Sequence, residues 1–214
     1  MIDNFRHKGM RKRLVEQLAE KGISDQRVLE AIMNVPRHFF LDNAFAKQAY
    51  SDTAFQIGAG QTISQPYTVA FQTQLLEVEK GDKILEIGTG SGYQASILCE
   101  MGAKLYSIER QRELFLKAKN LINELGYSPK LKYGDGFEGW EAFAPFDKMI
   151  ITCGAPYIPE KLVEQLNNGG KMVVPLGAGP VQEMILLTKS KNGEVSQRSY
   201  GKFRFVPMLK DTEK

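Results

Sequence analysis

Apolar residues four apart, Met10, Leu14 and Leu18, predict an amphipathic helix over residues 9–21. Val28, Leu29 and Ile32 predict a second helix that starts from a Ser24 or Asp25 cap and is ended by Pro36. Residues 50–66 follow neither a helical nor a strand period, and Tyr67 to Val78 returns to a helical pattern. From residue 83 the pattern changes. Short apolar runs at 83–87, 104–108, 130–133 and 148–153 predict strands, and helical stretches at 91–101, 111–125 and from Pro159 to about Leu166 follow or separate them. Asn167-Asn168-Gly169-Gly170 reads as a turn into a strand from Lys171 to Pro175. Glu183 to Thr188, the turn Lys191-Asn192-Gly193-Glu194 and a run through Phe203 and Phe205 read as an antiparallel pair. Alternating strands and helices with short connections predict an α/β fold: a doubly wound, mostly parallel, Rossmann-like sheet with a helical N-terminal extension and an antiparallel C-terminal strand pair. Residues 1–80 are expected to carry helices and a loop packed on a core of residues 81–214, the whole forming one unit.

Composition narrows the classes. The chain has 214 residues, 43% of them hydrophobic, enough for a sizeable core. A net charge of +3 is too small to argue for nucleic acid or an anionic membrane. The basic run Arg6, Lys8, Arg11, Lys12 and Arg13 reads as the solvated face of a helix. Two cysteines, Cys99 and Cys153, lie in apolar runs and read as buried free thiols, and with only His7 and His38 in the chain no metal site is expected. Charged residues from Asp3 onward leave no secretory apolar region, and no run approaches a membrane span, so a cytoplasmic protein is expected.

The densest candidate chemistry follows the strand at 83–87. Three glycines at alternate positions, Gly88, Gly90 and Gly92, run into a helix, an arrangement that brings backbone close to a ligand at a helix N-terminus. A dinucleotide fingerprint needs its third glycine where Tyr93 stands, and no P-loop lysine follows. Glu109, at the end of the next strand, can accept from both hydroxyls of a ribose, although dehydrogenases use the same device. Asp135, within Gly134-Asp135-Gly136, can accept from an adenine amino group or simply cap its own turn. Residues 50–66 form a polar loop with Asp52 as its one charged residue; a loop this long in a compact domain is commonly functional.

Ile84-Leu85-Glu86-Ile87-Gly88-Thr89-Gly90-Ser91-Gly92 resembles the first motif of S-adenosylmethionine-dependent methyltransferases, and Glu109 and Gly134-Asp135-Gly136 are similar to the motifs that follow it. More narrowly, Gly60-Gln61-Thr62-Ile63-Ser64-Gln65-Pro66 resembles the signature loop of the protein-L-isoaspartate O-methyltransferase family. Further matches at Val35-Pro36-Arg37, Ala144-Pro145-Phe146-Asp147, Pro175-Leu176-Gly177 and Phe205-Val206-Pro207 extend the resemblance over about residues 10–209. One departure is Thr152-Cys153-Gly154-Ala155, where the family usually carries an alanine-rich run.

The resemblance implies a protein repair methyltransferase that moves the methyl group of S-adenosyl-L-methionine to the α-carboxylate of L-isoaspartyl residues, releasing S-adenosyl-L-homocysteine. The ester then closes to a succinimide whose hydrolysis returns part of the material to aspartyl linkage. It implies Ser64 as the residue called catalytic, in an orienting role. Implied cofactor-binding residues are Thr62, Ile63, Ser64, Glu86, Gly88, Thr89, Gly90, Glu109, Asp135 and Gly136; implied substrate-binding residues are Thr62, Ser64, Val206 and Pro207. No metal is implied, and the partners are isoaspartyl proteins and peptides, met by a monomer. A carboxylate is already ionised near neutral pH, so the reaction needs no general base, which suits a chain with two histidines. A methyltransferase acting on a small molecule or RNA, or a binding protein that kept the cofactor fold, would share the glycine motif. The first leaves the Thr62-Ile63-Ser64 loop unexplained, and the second leaves a complete set of cofactor motifs unused.

Overall fold

The computed structural model describes residues 2–213. In chain order its elements are helices α1 (Phe5–Glu20) and α2 (Gln26–Asn34), a hairpin β1 (Phe55–Gly58) and β2 (Gln61–Ile63), then α3 (Pro66–Leu76). The core follows: β3 (Lys83–Ile87), α4 (Tyr93–Glu100), β4 (Lys104–Glu109), α5 (Arg112–Glu124), β5 (Lys130–Tyr133), β6 (Phe146–Ile151), α6 (Glu160–Gln165), β7 (Leu166–Leu176), β8 (Gln182–Lys189) and β9 (Val195–Phe203). The large sheet has the order β5-β4-β3-β6-β7-β8-β9. Strands β3 to β7 pair in parallel, and β8 is antiparallel to both its neighbours. The chain winds outward through β4 and β5, then returns past β3 to β6. The switch point, where ligands bind in such sheets, thus lies between β3 and β6.

Side chains alternate across the sheet and so build two cores. Ile84, Leu105, Ile150 and Val173 face Leu76, Ala95, Leu98 and Ile122 of α3, α4 and α5. Leu85, Ile87, Met149 and Met172 face the other way, toward Leu162 of α6 and Phe137. A third cluster joins the N-terminal helices (Leu14, Leu18, Ile32) to Tyr93 and Ile97 of α4. The N-terminal segment therefore packs directly on the helix that leaves the glycine turn. Among the described residues no helix is long and apolar enough to cross a membrane.

Three sequence expectations need correction. Helix α1 starts at Phe5 rather than residue 9, because the Asn4 side chain accepts from the His7 N–H at 3.0 Å and caps an extra turn. The basic run is not uniformly solvated: Arg11 is buried, donating to both Asp3 oxygens at 3.2 and 2.9 Å, to the Tyr50 hydroxyl at 3.0 Å and to the Met33 carbonyl at 2.5 Å. The expected turn at Asn167–Gly170 is a bulge inside β7. Phe146 pairs with Leu166 and Lys148 already pairs with Lys171, so the intervening residues swell outward. Gly170 permits this, since a Cβ there would lie 2.8 Å from the carbonyl oxygens of Asn167 and Asp147.

Candidate active site

The carboxyl ends of β3, β4, β5 and β6 meet at one cavity of about 820 Å³ including its open mouth. Its floor is the glycine turn. Gly88, Gly90 and Gly92 have φ of +95°, +54° and +86°, conformations that side chains with a Cβ rarely adopt. A Cβ on Gly88 would also stand 2.6 Å from Thr152 Oγ1, whose hydroxyl donates to the Gly88 carbonyl at 2.6 Å. The turn is thereby held against the end of β6. On the β4 side the Gly88 N–H donates to the Ile108 carbonyl at 2.8 Å.

Glu109 ties this turn to the next helix. One of its oxygens accepts from the Gly90 N–H and the other from the Gln111 N–H, each at 2.8 Å. Burial pushes its pKa up, a rise that backbone N–H groups of Gln111, Gly90 and Arg110 partly offset. Each carboxylate oxygen keeps a second lone pair, so acceptor capacity toward the cavity remains.

Behind the turn, Glu86 is fully buried. The Ser107 hydroxyl donates to one oxygen of Glu86 at 2.5 Å and lies 2.6 Å from Thr89 Oγ1. The other oxygen of Glu86 has no partner. Burial pushes this carboxyl up to about 8, with the charge of Glu109 adding to the effect. Glu86 thus supports the glycine turn through Ser107 and Thr89 and does not line the cavity.

The opposite wall comes from the N-terminal segment. In the hairpin β1–β2, Gln56 pairs with Thr62 and Phe55 with Ile63. The hairpin reaches the glycine turn, with Ile57 Cδ1 3.7 Å from where a Cβ on Gly90 would stand. Asp52 fixes the corner after β2: its carboxylate accepts from the Tyr67 N–H at 2.8 Å, the Gln65 amide at 3.1 Å and the Lys21 ammonium at 2.6 Å. This satisfies an orphan donor at the start of α3. Burial alone would raise the Asp52 pKa, and these three donors overcome it to hold the carboxyl below its ordinary value. Thr62, Ile63 and Ser64 consequently line the cavity. Among the described residues neither the Thr62 nor the Ser64 hydroxyl has a protein hydrogen-bond partner, unlike the hydroxyls of Thr89 and Thr152.

The last wall is the C-terminal segment. Gly154 and Val206–Met208 exchange backbone hydrogen bonds at 2.8 Å, which lays Val206 and Pro207 beside the end of β6. Gly136 also lines the cavity, and a Cβ there would be 2.3 Å from Ile87 Cγ2. Asp135 stands behind it. Its oxygens accept from the Phe137 N–H and the Asp211 N–H, each at 2.8 Å, so the carboxylate caps its own turn and anchors the C-terminal segment.

The structure therefore gathers Thr62, Ile63, Ser64, Gly88, Thr89, Gly90, Glu109, Gly136, Val206 and Pro207 around one cavity and sets Glu86 and Asp135 just behind its walls. It adds residues that sequence reasoning missed, among them Gln72, Gln94 and Thr152. Gln72 donates to the Ile151 carbonyl at 2.9 Å and Gln94 to Thr73 Oγ1 at 2.9 Å, while the Gln94 side-chain oxygen is buried without a partner. For the two glutamines the available signal was a long polar amide among the inward-facing positions of a helix.

A doubly wound sheet with a glycine turn after its first core strand and an acidic residue ending the next defines a Rossmann-like, cofactor-binding fold. The chain matches the model of the family described as Protein-L-isoaspartate(D-aspartate) O-methyltransferase over residues 9–213, and it belongs to that family. It is 54% identical over 212 residues to the protein-L-isoaspartate O-methyltransferase of Christiangramia forsetii, covering 99% of each chain. It is 53% identical over 209 residues to that of Cytophaga hutchinsonii, covering 98% of this chain and 95% of the relative. Among solved structures, one protein-L-isoaspartate O-methyltransferase aligns with a TM-score of 0.83 at 28% identity, over 92% of this chain and 65% of that one. A Plasmodium falciparum chain described as a protein-L-isoaspartate O-methyltransferase, solved with S-adenosyl-L-homocysteine, aligns with a TM-score of 0.82 at 25% identity, over 94% and 99% of the two chains.

Proposed function

We propose a division of roles for these residues in an enzyme that moves the methyl group of S-adenosylmethionine to the α-carboxylate of L-isoaspartyl residues in damaged proteins. The observation that carries it is the meeting, in one cavity, of the Glu109 carboxylate and the glycine turn with two unpartnered hydroxyls, Thr62 and Ser64. The donor set suits the cofactor. Glu109 offers acceptors for ribose hydroxyls, the positive-φ glycines bring backbone close, and the unpartnered oxygen of Gln94 offers a buried acceptor to a cationic ligand. Asp135 and Gly136 shape the wall proposed for the adenine, Ile63 lines the cofactor side of the cavity, and Glu86 supports the site from behind.

When bound, the cofactor supplies a methyl group on an electron-poor sulfonium. The task left to the protein is to place a carboxylate oxygen in line with it and keep water away. Thr62 and Ser64 can each donate one hydrogen bond to the substrate carboxylate. A neutral donor orients that oxygen and leaves more of its nucleophilicity than a cationic partner would. Cys153 also lines the cavity, but burial, with the charge of Glu109, pushes its thiol up to about 12. It stays protonated at neutral pH and does not compete as a nucleophile. Val206 and Pro207 supply a wall for the peptide.

Residues 1–80 thus provide the substrate-facing loop and residues 81–214 the cofactor side together with the Val206–Pro207 wall for the peptide, working as one unit. A monomer in the cytoplasm is the setting we infer, and the two free cysteines suit its reducing environment. The direct test supplies labelled S-adenosylmethionine with an isoaspartyl peptide and its aspartyl twin. Labelling of the first alone is expected; equal labelling of both, or of neither, refutes the proposal.

A further inference from the structure

Beside the active site, and sharing Thr62, Ser64, Thr152 and Val206 with it, runs a wider groove of about 1480 Å³ including its open mouth. Its floor is aromatic. Tyr67 stacks on Phe71 with centroids 5.6 Å apart, Phe71 stacks on Phe203 at 5.3 Å, and Tyr200 meets Phe71 edge-on at 6.4 Å. Tyr67, Tyr200 and Phe203 all face the groove. Its rim carries Lys202 and Arg204, the two charged residues that line it, and no carboxylate lines it. Both cations are exposed, and among the described residues neither forms an ion pair. Glu183 is the cross-strand neighbour of Lys202, yet it makes no ion pair with it and does not line the groove.

We propose that this groove holds the substrate chain on one side of the isoaspartyl residue and selects for acidic side chains there through Lys202 and Arg204. The proposal rests on the methyltransferase reading above. Continuity with the cavity makes it the path along which a peptide must leave Ser64. The aromatic floor offers flat, sequence-tolerant contact to the backbone and apolar stems of that peptide. Sequence preference then falls to whatever is left unbalanced, and in this groove that is charge. A peptide carboxylate meeting two free cations gains attraction, whereas a lysine at the same place is repelled. Lys202 and Arg204 are therefore specificity-determining residues that touch the flank of the substrate and not the reacting atoms.

The test compares four isoaspartyl peptides, with two glutamates or two lysines placed on the N-terminal or the C-terminal flank, measuring KM and kcat for methyl transfer at low and high salt. On one flank, glutamate is expected to lower KM about two- to tenfold relative to lysine, the range of one or two exposed ion pairs. The ratio should shrink at high salt, approach one in the K202Q/R204Q double variant, and invert in K202E/R204E. Both residues are exposed, so these variants are expected to fold. Equal KM for all four peptides, or a preference unchanged in K202E/R204E, overturns the inference alone and leaves the methyltransferase reading standing. Absence of transfer to any isoaspartyl peptide overturns both.

Discussion

Replacing Glu86 with glutamine tests the reading that a neutral carboxylic acid underlies the glycine turn. The wild-type carboxyl is fully buried, bonded to Ser107 through one oxygen and unpartnered at the other, and is pushed up from 4.5 to about 8. The sign follows from linkage. The folded protein keeps this proton over a pH range in which the unfolded chain has lost it. The associated stability is fully present below the unfolded value near 4.5 and is lost as pH rises to about 8. At about 1.36 kcal/mol per pH unit the whole window is worth up to about 5 kcal/mol, and the step from about pH 5.5 to about pH 7.5 about 2–3 kcal/mol. Glutamine has nearly the same shape and cannot ionise. Urea unfolding, followed by circular dichroism and by the fluorescence of the single tryptophan, Trp140, should therefore show the E86Q variant gaining about 2–3 kcal/mol relative to wild type between those two pH values. Groups that are not coupled to Glu86 are common to the two proteins and cancel in the difference. Stability curves that run parallel within about 0.5 kcal/mol across this range would refute the reasoning, because a Glu86 already ionised at low pH has no such dependence.

Ser64→Ala should lower kcat about 10- to 100-fold, the worth of one hydrogen bond to a charged group, with affinity for S-adenosylhomocysteine by calorimetry almost unchanged. Should cofactor affinity collapse instead, the orienting role is wrong. Glu109→Ala removes the acceptor of the Gly90 N–H and the proposed ribose acceptors together. Its dissociation constant for the same ligand should rise about 10- to 100-fold, and an unchanged value would place the ribose elsewhere. Gly88→Ala forces a Cβ to within 2.6 Å of Thr152 Oγ1 at a φ of +95°. About 1–3 kcal/mol of stability and most cofactor binding should be lost together, and a stable variant with normal affinity would mean that the turn is less confined than described.

Most of the sheet was legible because β3, β4, β6, β7 and β8 each carry a short apolar run and the helices their spacing, whereas β9 is mostly polar and exposed. The parallel order followed from the alternation of strands and helices. What escaped notice depended on partners distant in sequence. The burial of Arg11 rests on Asp3, Met33 and Tyr50, and nothing in the spacing of the basic run foretells them. The bulge at Asn167–Gly170 looked like a turn because its residues are turn-formers, and its pairing on both sides with β6 is a fact of the sheet. In the site, the glycine turn and Glu109 could be placed from the ends of their strands. Glu86 and Asp135 were placed by position in a motif, with turn-capping as the alternative for Asp135; the structure gives one Glu86 oxygen to Ser107 and the two Asp135 oxygens to the N–H groups of Phe137 and Asp211. Gln72 and Gln94 were missed because their burial depends on contacts between elements, Gln72 reaching the end of β6 and Gln94 reaching Thr73 of α3, which helical spacing does not reveal.

The distribution of titratable groups argues for the same chemistry from another direction. Both histidines lie in the N-terminal segment, their rings tilted by 31° with centroids 3.9 Å apart and His38 Nδ1 2.7 Å from the Tyr50 oxygen. Burial holds His38 below its ordinary pKa, and neither imidazole lines the cavity. The thiol there stays protonated, and the carboxylate there is occupied by the glycine turn. A site that had to remove a proton from its nucleophile would be poorly served by such a set. A carboxylate nucleophile arrives without a proton to remove, so a pair of free hydroxyls facing a preorganised turn is sufficient equipment. The loop that supplies those hydroxyls therefore needs rigidity more than acidity or basicity. It obtains that from Asp52, whose three hydrogen bonds fasten the corner after Ser64 to the start of α3. The charged residue of the polar loop thus acts as its anchor, while the neutral hydroxyls of Thr62 and Ser64 face the cavity without protein partners.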